Sequence, residues 1–170
     1  MGQQFDFDKF RKRAYRKKKA LAAFLKKFKR KEPAGLQKLI KQADAETWQE
    51  VACLDCAACC KRMTPTFTRT DIKRISAHFG MTSKQFYDKW LAHDDNGDVV
   101  NENQPCQFLG KDNKCSIYSI RPSDCAGFPH FVRKDFAHQA AEGVYTNNLH
   151  RCPATLIFVE KLEKAVATGL

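Results

Sequence analysis

At 170 residues and 43% hydrophobic content, the chain is long enough for one domain with a real hydrophobic core plus an extension. No run approaches the roughly 20 apolar residues that cross a bilayer, and Leu21-Ala22-Ala23-Phe24-Leu25 is far shorter than a signal-peptide core, so no transmembrane segment is expected and the expected compartment is the cytoplasm. The net charge of +11 sits in one arm: residues 9–31 carry thirteen Lys or Arg and no acid, which leaves 17 basic against 19 acidic side chains in the rest of the chain.

That arm predicts a single amphipathic helix over residues 6–31. Phe7, Phe10, Ala14, Leu21, Phe24, Leu25 and Phe28 fall on one stripe at the helical period, interrupted by Lys17. Asp6 or Asp8 can cap its start, and Pro33 stops it. Thirteen uncompensated cations repel one another, so an anionic partner (RNA, DNA or a membrane surface) is weighed for residues 9–31 against a solvated helix docked by its Phe stripe. A second helix follows Gly35, with Leu36, Leu39, Ile40, Ala43, Thr47 and Val51 on one side.

Beyond Pro65, Thr70 is expected to cap a helix from Asp71 to Phe79 closed by Gly80, with Ile72, Ile75 and Phe79 inward. Ser83 opens another, with Phe86, Tyr87, Trp90 and Leu91 inward. Asp94-Asp95-Asn96-Gly97-Asp98 is acidic, but its glycine is misplaced for a calcium loop and no Glu closes it, so a tight turn at Asn96-Gly97 is expected. Gln104–Leu109 and Cys115–Tyr118 read as two short strands of a hairpin. Arg121-Pro122-Ser123-Asp124-Cys125 reads as a turn or one helical turn, and Phe128-Pro129-His130-Phe131 as extended. Residues 133–150 show no clear period. Cys152-Pro153 opens a last helix, Ala154 to about Ala167, which packs through Leu156, Val159, Leu162 and Val166.

The eight cysteines carry the chemistry. Cys53, Cys56, Cys59 and Cys60 form C-x2-C-x2-C-C, and Cys106, Cys115, Cys125 and Cys152 are scattered downstream. In a reducing compartment such a set points to metal rather than to four disulfides, and the vicinal Cys59-Cys60 pair resists bridging. Thiolates are soft ligands suited to zinc and to iron–sulfur clusters. A zinc ribbon wants a second C-x2-C pair, which is missing here. Three thiols at x2 spacing with a distant Cys-Pro are closer to a ferredoxin loop, although the usual C-x3-C-P continuation is absent. Eight thiols suffice for two four-thiolate sites, with Cys59 and Cys60 feeding different centres; one site with spare cysteines is the competing layout. His130 and His150 stand near late cysteines and are alternative ligands.

The order C-x2-C-x2-C-C, Pro105-Cys106-Gln107-Phe108-Leu109, Cys115-Ser116-Ile117-Tyr118, Arg121-Pro122-Ser123-Asp124-Cys125 and Phe128-Pro129 resembles the YkgJ-type cysteine-cluster family, a zinc- or iron-chelating domain related to a cysteine block in flagellin lysine methylases. The resemblance covers about residues 50–155. It matches at Cys53, Cys56, Cys59, Cys60, Cys106, Cys115 and Cys125, and less distinctively at Cys152. Where the family commonly has a basic residue after the Arg-Pro cysteine, this chain has Ala126. The resemblance implies chelation of a metal and no particular reaction.

The expected architecture is mainly α with a small β-hairpin (α+β). It is a small single domain, residues 33–170, organised around a cysteine-ligated metal centre, with residues 1–32 as a basic amphipathic helical extension. All eight cysteines are candidate ligands for iron, including an iron–sulfur cluster, or for zinc. A redox or electron-transfer role would suit iron. The alternative is a zinc-stapled interaction module whose basic helix binds nucleic acid or an anionic membrane surface. No paired carboxylates, nucleophile–His pair or Gly-rich phosphate loop is legible, so no reaction is assigned. Tyr118, Arg121 and Asp124 are polar residues threaded among the cysteines that could serve a substrate; the favoured reading is that Arg121 and Asp124 order the loop by hydrogen bonds around the metal.

Overall fold

Helices dominate the chain, as its hydrophobic periods require, and one two-stranded antiparallel sheet accompanies them in the computed structural model, which describes residues 6–168. The first five residues of the expected 1–32 extension and the last two of the expected 33–170 domain lie outside the described residues. The chain divides into two units, residues 6–52 with 129–168, and residues 53–128.

The first unit is helical. Helix α1 spans Phe7–Lys26 and a 3-10 turn spans Lys27–Lys29. Asp6 caps α1 by accepting from the Asp8 and Lys9 amides. Its predicted stripe is the buried face: Phe10, Ala14, Leu21, Phe24 and Leu25 are covered, and so is Phe28 in the turn. Lys17, which interrupts that stripe, pairs with Glu160 at 2.8 Å, and Arg13 pairs with the same carboxylate. Helix α2, Leu36–Glu50, follows Gly35, whose φ of +68° favours glycine.

Across the second unit the numbering continues with α3, Cys53–Cys56; α4, Ala58–Arg62; α5, Arg69–His78; α6, Ser83–Trp90; strands β1, Leu91–His93, and β2, Val99–Asn101; and α7, Ser123–Gly127. Returning to the first unit, residues 133–150, which lack a clear period, form two short helices, α8, Phe136–Ala141, and α9, Val144–Asn148. Each is too short for periodicity to show, and each is held by core aromatics: Phe136 stacks on Tyr145 with ring centroids 4.6 Å apart. Helix α10, Pro153–Thr168, buries Leu156, Phe158, Val159 and Leu162, and Phe158 stacks on Phe131 at 3.9 Å. Burying each such side chain is worth roughly 1.5–3 kcal/mol, which is what holds helices this short in place. The segment Phe128–Phe131 is not extended throughout, because His130 has a φ of +60°.

Three expectations for the second unit are corrected. Helix α5 begins two residues earlier than expected, because Thr68 and not Thr70 is its cap: the Thr68 hydroxyl accepts from the Asp71 amide and the Asp71 carboxylate accepts from the Thr68 amide, a closed capping box. Phe79 is 37% exposed rather than inward, yet it stacks on Phe108 at 5.8 Å. The sheet lies elsewhere than expected. It joins β1 and β2 in the register Leu91↔Asn101, Ala92↔Val100 and His93↔Val99, around the Asn96-Gly97 turn. In the predicted hairpin of residues 104–118 a single bridge remains, Leu109↔Cys115. Its flanks curl into turns, with the Leu109 amide donating to the Cys106 carbonyl at 2.9 Å and the Tyr118 amide to the Cys115 carbonyl at 3.3 Å.

No helix among the described residues is long and apolar enough to cross a membrane.

Candidate metal centre

The C-x2-C-x2-C-C stretch is two helical turns with a break between them. Cys53 and Cys56 bracket α3, and Cys59 and Cys60 ride on α4. Between them Ala57 is buried and holds φ +50°, ψ +16°, a left-handed conformation that non-glycine residues rarely adopt. The break matters because a continuous helix would spread positions 53, 56, 59 and 60 along one stripe. The reversal at Ala57 instead turns the second pair relative to the first. The Cys59 and Cys60 sulfurs are 4.0 Å apart, too far for a disulfide and close enough for an S–H···S contact.

The later thiols are brought in by backbone and packing. The Cys106 amide donates to the Cys60 carbonyl at 2.8 Å, and the Leu109↔Cys115 bridge sets Cys115 beside that segment. Phe108 pins the segment from the apolar side, its ring 6.2 Å from Phe86 and nearly parallel to it, and 5.4 Å from Trp90. Cys125 sits on α7, whose start is clamped by the Asp71 carboxylate through the Ser123 amide at 3.1 Å and hydroxyl at 2.9 Å. Next to it, the Asp124 carboxylate accepts from the Thr66 amide at 3.0 Å. Arg121 lies over the Tyr118 ring at 3.9 Å and donates to the Tyr118 carbonyl at 2.7 Å. Arg121 and Asp124 thus hold the backbone of this segment through hydrogen bonds.

Electrostatics ties these thiols together. The hydrogen bond from Cys60 lowers the Cys59 pKa to about 7 despite its burial, so Cys59 carries the charge of the pair and Cys60 is held protonated. Each of the other thiols of the unit responds to Cys59. Burial raises Cys53, Cys106 and Cys115, raises Cys56 to about 11 and raises Cys125 to about 12, and the Cys59 charge adds to every one of these. Arg121 acts in the opposite direction on Cys53 and Cys115.

No disulfide joins any of the eight cysteines, all of which are among the described residues. Seven lie in the unit of residues 53–128. Cys152 lies in the other unit, just ahead of α10, where it packs against the apolar core. His130 and His150 are in that unit too, and the His130 carbonyl accepts from the Tyr145 hydroxyl at 2.9 Å. Among the described residues, no group of three or more His, Cys, Asp or Glu side chains stands in a geometry that could hold a metal ion. Two residues have a place at the site that their spacing does not signal. Asp71 is a helix-cap residue by sequence yet fully buried and bonded to the Cys125 helix. Gln107, beside Cys106, has both carboxamide atoms buried with no hydrogen-bond partner among the described residues; leaving such a group unpaired costs roughly 1–3 kcal/mol.

The donor set fits a soft cation. Six thiols sharing a unit with one anionic sulfur, most of them raised by burial, are poor thiolates on their own; a coordinated cation reverses that balance. This defines the class: a cysteine-rich, mostly helical domain with the donor chemistry of a thiolate metal site. The chain belongs to the CxxCxxCC family, described as "Putative zinc- or iron-chelating domain", whose model matches residues 52–153. All eight cysteines fall inside that stretch and α1 falls outside it. No curated protein and no solved structure matches the chain.

Proposed function

We propose that the protein binds iron or zinc through the thiols of residues 53–125, with Cys59 as the central donor. The observation that carries this reading is that one unit gathers seven of the eight cysteines inside the stretch the family model matches, with the Cys59 and Cys60 sulfurs 4.0 Å apart and the Cys106 amide bonded to the Cys60 carbonyl. Iron is the favoured metal, because three thiols at x2 spacing, folded as two short turns about Ala57, suit a cluster loop better than a zinc ribbon. Bound iron would supply one-electron transfer, whereas zinc would supply a rigid centre. The chain's own residues do the positioning: Asp71 holds the Cys125 helix, the Cys60 carbonyl holds Cys106, and Arg121 offsets thiolate charge near Cys53 and Cys115.

Anaerobic purification followed by metal analysis and a visible spectrum tests this. Stoichiometric iron with sulfur-to-iron absorption is expected. A colourless protein with stoichiometric zinc replaces iron and removes the redox reading, and a folded protein with neither metal overturns both. Cys152 is proposed as an eighth ligand on its Cys-Pro context alone. Cys152→Ser decides it, since unchanged metal content removes Cys152 from the set.

A further inference from the structure

Helix α1 uses up its apolar face inside its own unit. Phe10, Ala14, Leu21, Phe24 and Leu25 are buried, and Glu160 anchors the helix from α10 through Arg13 and Lys17. What remains outside is a face of cations. Among the described residues, Lys12, Arg16, Lys18, Lys19, Lys26 and Lys27 are exposed and have no carboxylate partner. The positive surface continues off the helix, where His150 lies within the electrostatic reach of Lys18 and Arg151. At the centre of the face stands Tyr15, 85% exposed, with Arg11, Lys12, Lys18 and Lys19 one turn to either side.

Two properties of this surface select a partner. A helix that binds membranes inserts its apolar stripe, and here that stripe is already covered. An exposed aromatic among cations is instead a stacking platform on a phosphate-binding track, the arrangement that holds single strands. The helix that carries most of the track is 20 residues long, which is about 30 Å. We infer that the solvent face of α1 binds single-stranded nucleic acid, its cations on successive phosphates and the Tyr15 ring stacked on a base.

The full chain, purified with its metal, is titrated by fluorescence anisotropy against a labelled oligouridine, the same length of duplex, and phosphatidylcholine vesicles with and without phosphatidylserine. The oligouridine is expected to bind, with log affinity falling linearly as log salt rises, by about 0.7 per phosphate contact. The double reversal Lys12→Glu/Lys19→Glu is expected to abolish binding and leave helicity and metal content unchanged. Tyr15→Ala should weaken binding roughly 5- to 150-fold at an unchanged salt slope, and Tyr15→Phe should restore it. Absence of oligouridine binding at low salt overturns the inference, as does indifference to Tyr15→Ala. Preference for duplex, or for anionic vesicles over the oligonucleotide, overturns it in favour of another anionic partner.

Discussion

The carboxylate of Asp71 and the first residue of α7, Ser123, are joined twice: one carboxylate oxygen accepts from the Ser123 amide at 3.1 Å and from its hydroxyl at 2.9 Å. The same oxygen accepts from Arg74 at 2.8 Å, while the other accepts the Thr68 amide at 3.0 Å and hydroxyl at 2.6 Å. One fully buried carboxylate thus closes the N-terminus of α5 and holds the segment that carries Cys125. Asp71→Ala leaves five donors without their acceptor and should cost about 2–4 kcal/mol in urea unfolding, against about 1 kcal/mol for Ser123→Ala. A loss below 1 kcal/mol for Asp71→Ala would show that water replaces the carboxylate.

Acid titration should report the same group. Burial pushes the Asp71 pKa up, but the hydrogen bonds from Thr68, Ser123 and Arg74 outweigh that and hold it at about 2, against an ordinary 3.8. A depressed folded pKa gives stability that is complete above the unfolded value and lost as pH falls toward the folded one. Here that amounts to about 2 kcal/mol, lost between about pH 5 and pH 2. Comparing unfolding of the native protein and Asp71→Asn across that range isolates the contribution of this carboxylate, because the other acid-labile groups are common to both. Parallel curves would refute it.

Removing the central donor should remove the metal. Cys59→Ser, or a strong chelator, is expected to strip the bound metal and lower the melting temperature by roughly 10 °C or more, since binding energy at a site gathered from separate segments is folding energy. An unchanged melting curve after metal loss would mean that the centre is not structural.

Arg121 acts on the thiols through charge as well as through the loop. Its guanidinium lowers the Cys53 and Cys115 pKa values against the upward push of burial and of Cys59. Arg121→Gln should weaken metal affinity about 10-fold, the lower end of what residues supporting metal ligands contribute, with the loss growing as pH falls. Competition with a chromogenic chelator at two pH values measures it; an equal effect at both would assign Arg121 to loop order alone.

Ala57 is a test of the backbone break. Ala57→Val should cost about 2 kcal/mol or more, because a β-branched side chain at positive φ meets its own backbone and the site is 3% exposed. Ala57→Gly relieves strain but adds freedom to the unfolded chain, so it should fall within about 0.5 kcal/mol of the native protein. Metal content should follow the same order, and a Val variant with full metal would dissociate the break from the site.

Much of the helical scaffold is legible in the sequence. The α1 stripe, the α2 face and the packing side of α10 are local patterns, and burial follows them except at Phe7 and Val166, which are only partly buried. The cap of α5 is written there too, in Thr68-x-x-Asp71, but Thr70 competes as the nearer candidate, and only the closed pair of hydrogen bonds chooses between them. The helices α8 and α9 are not legible, because five or six residues give a period too little length to register. Nor is the place of the sheet: residues 104–118 and 91–101 both alternate weakly, and a short strand is decided by the partner it finds.

By itself, the sequence determined the donors, their spacing and the separation of a basic arm from a near-neutral body. Tertiary structure decided which thiols keep company. Seven share one unit, six of them responding to the seventh, Cys59, while Cys152, with its ferredoxin-like Cys-Pro, packs in the other. Spacing constrains neighbours within a turn or two, whereas Asp71 meets Ser123 and Cys60 meets Cys106 only because buried aromatics around Phe86 and Phe108 hold distant segments together.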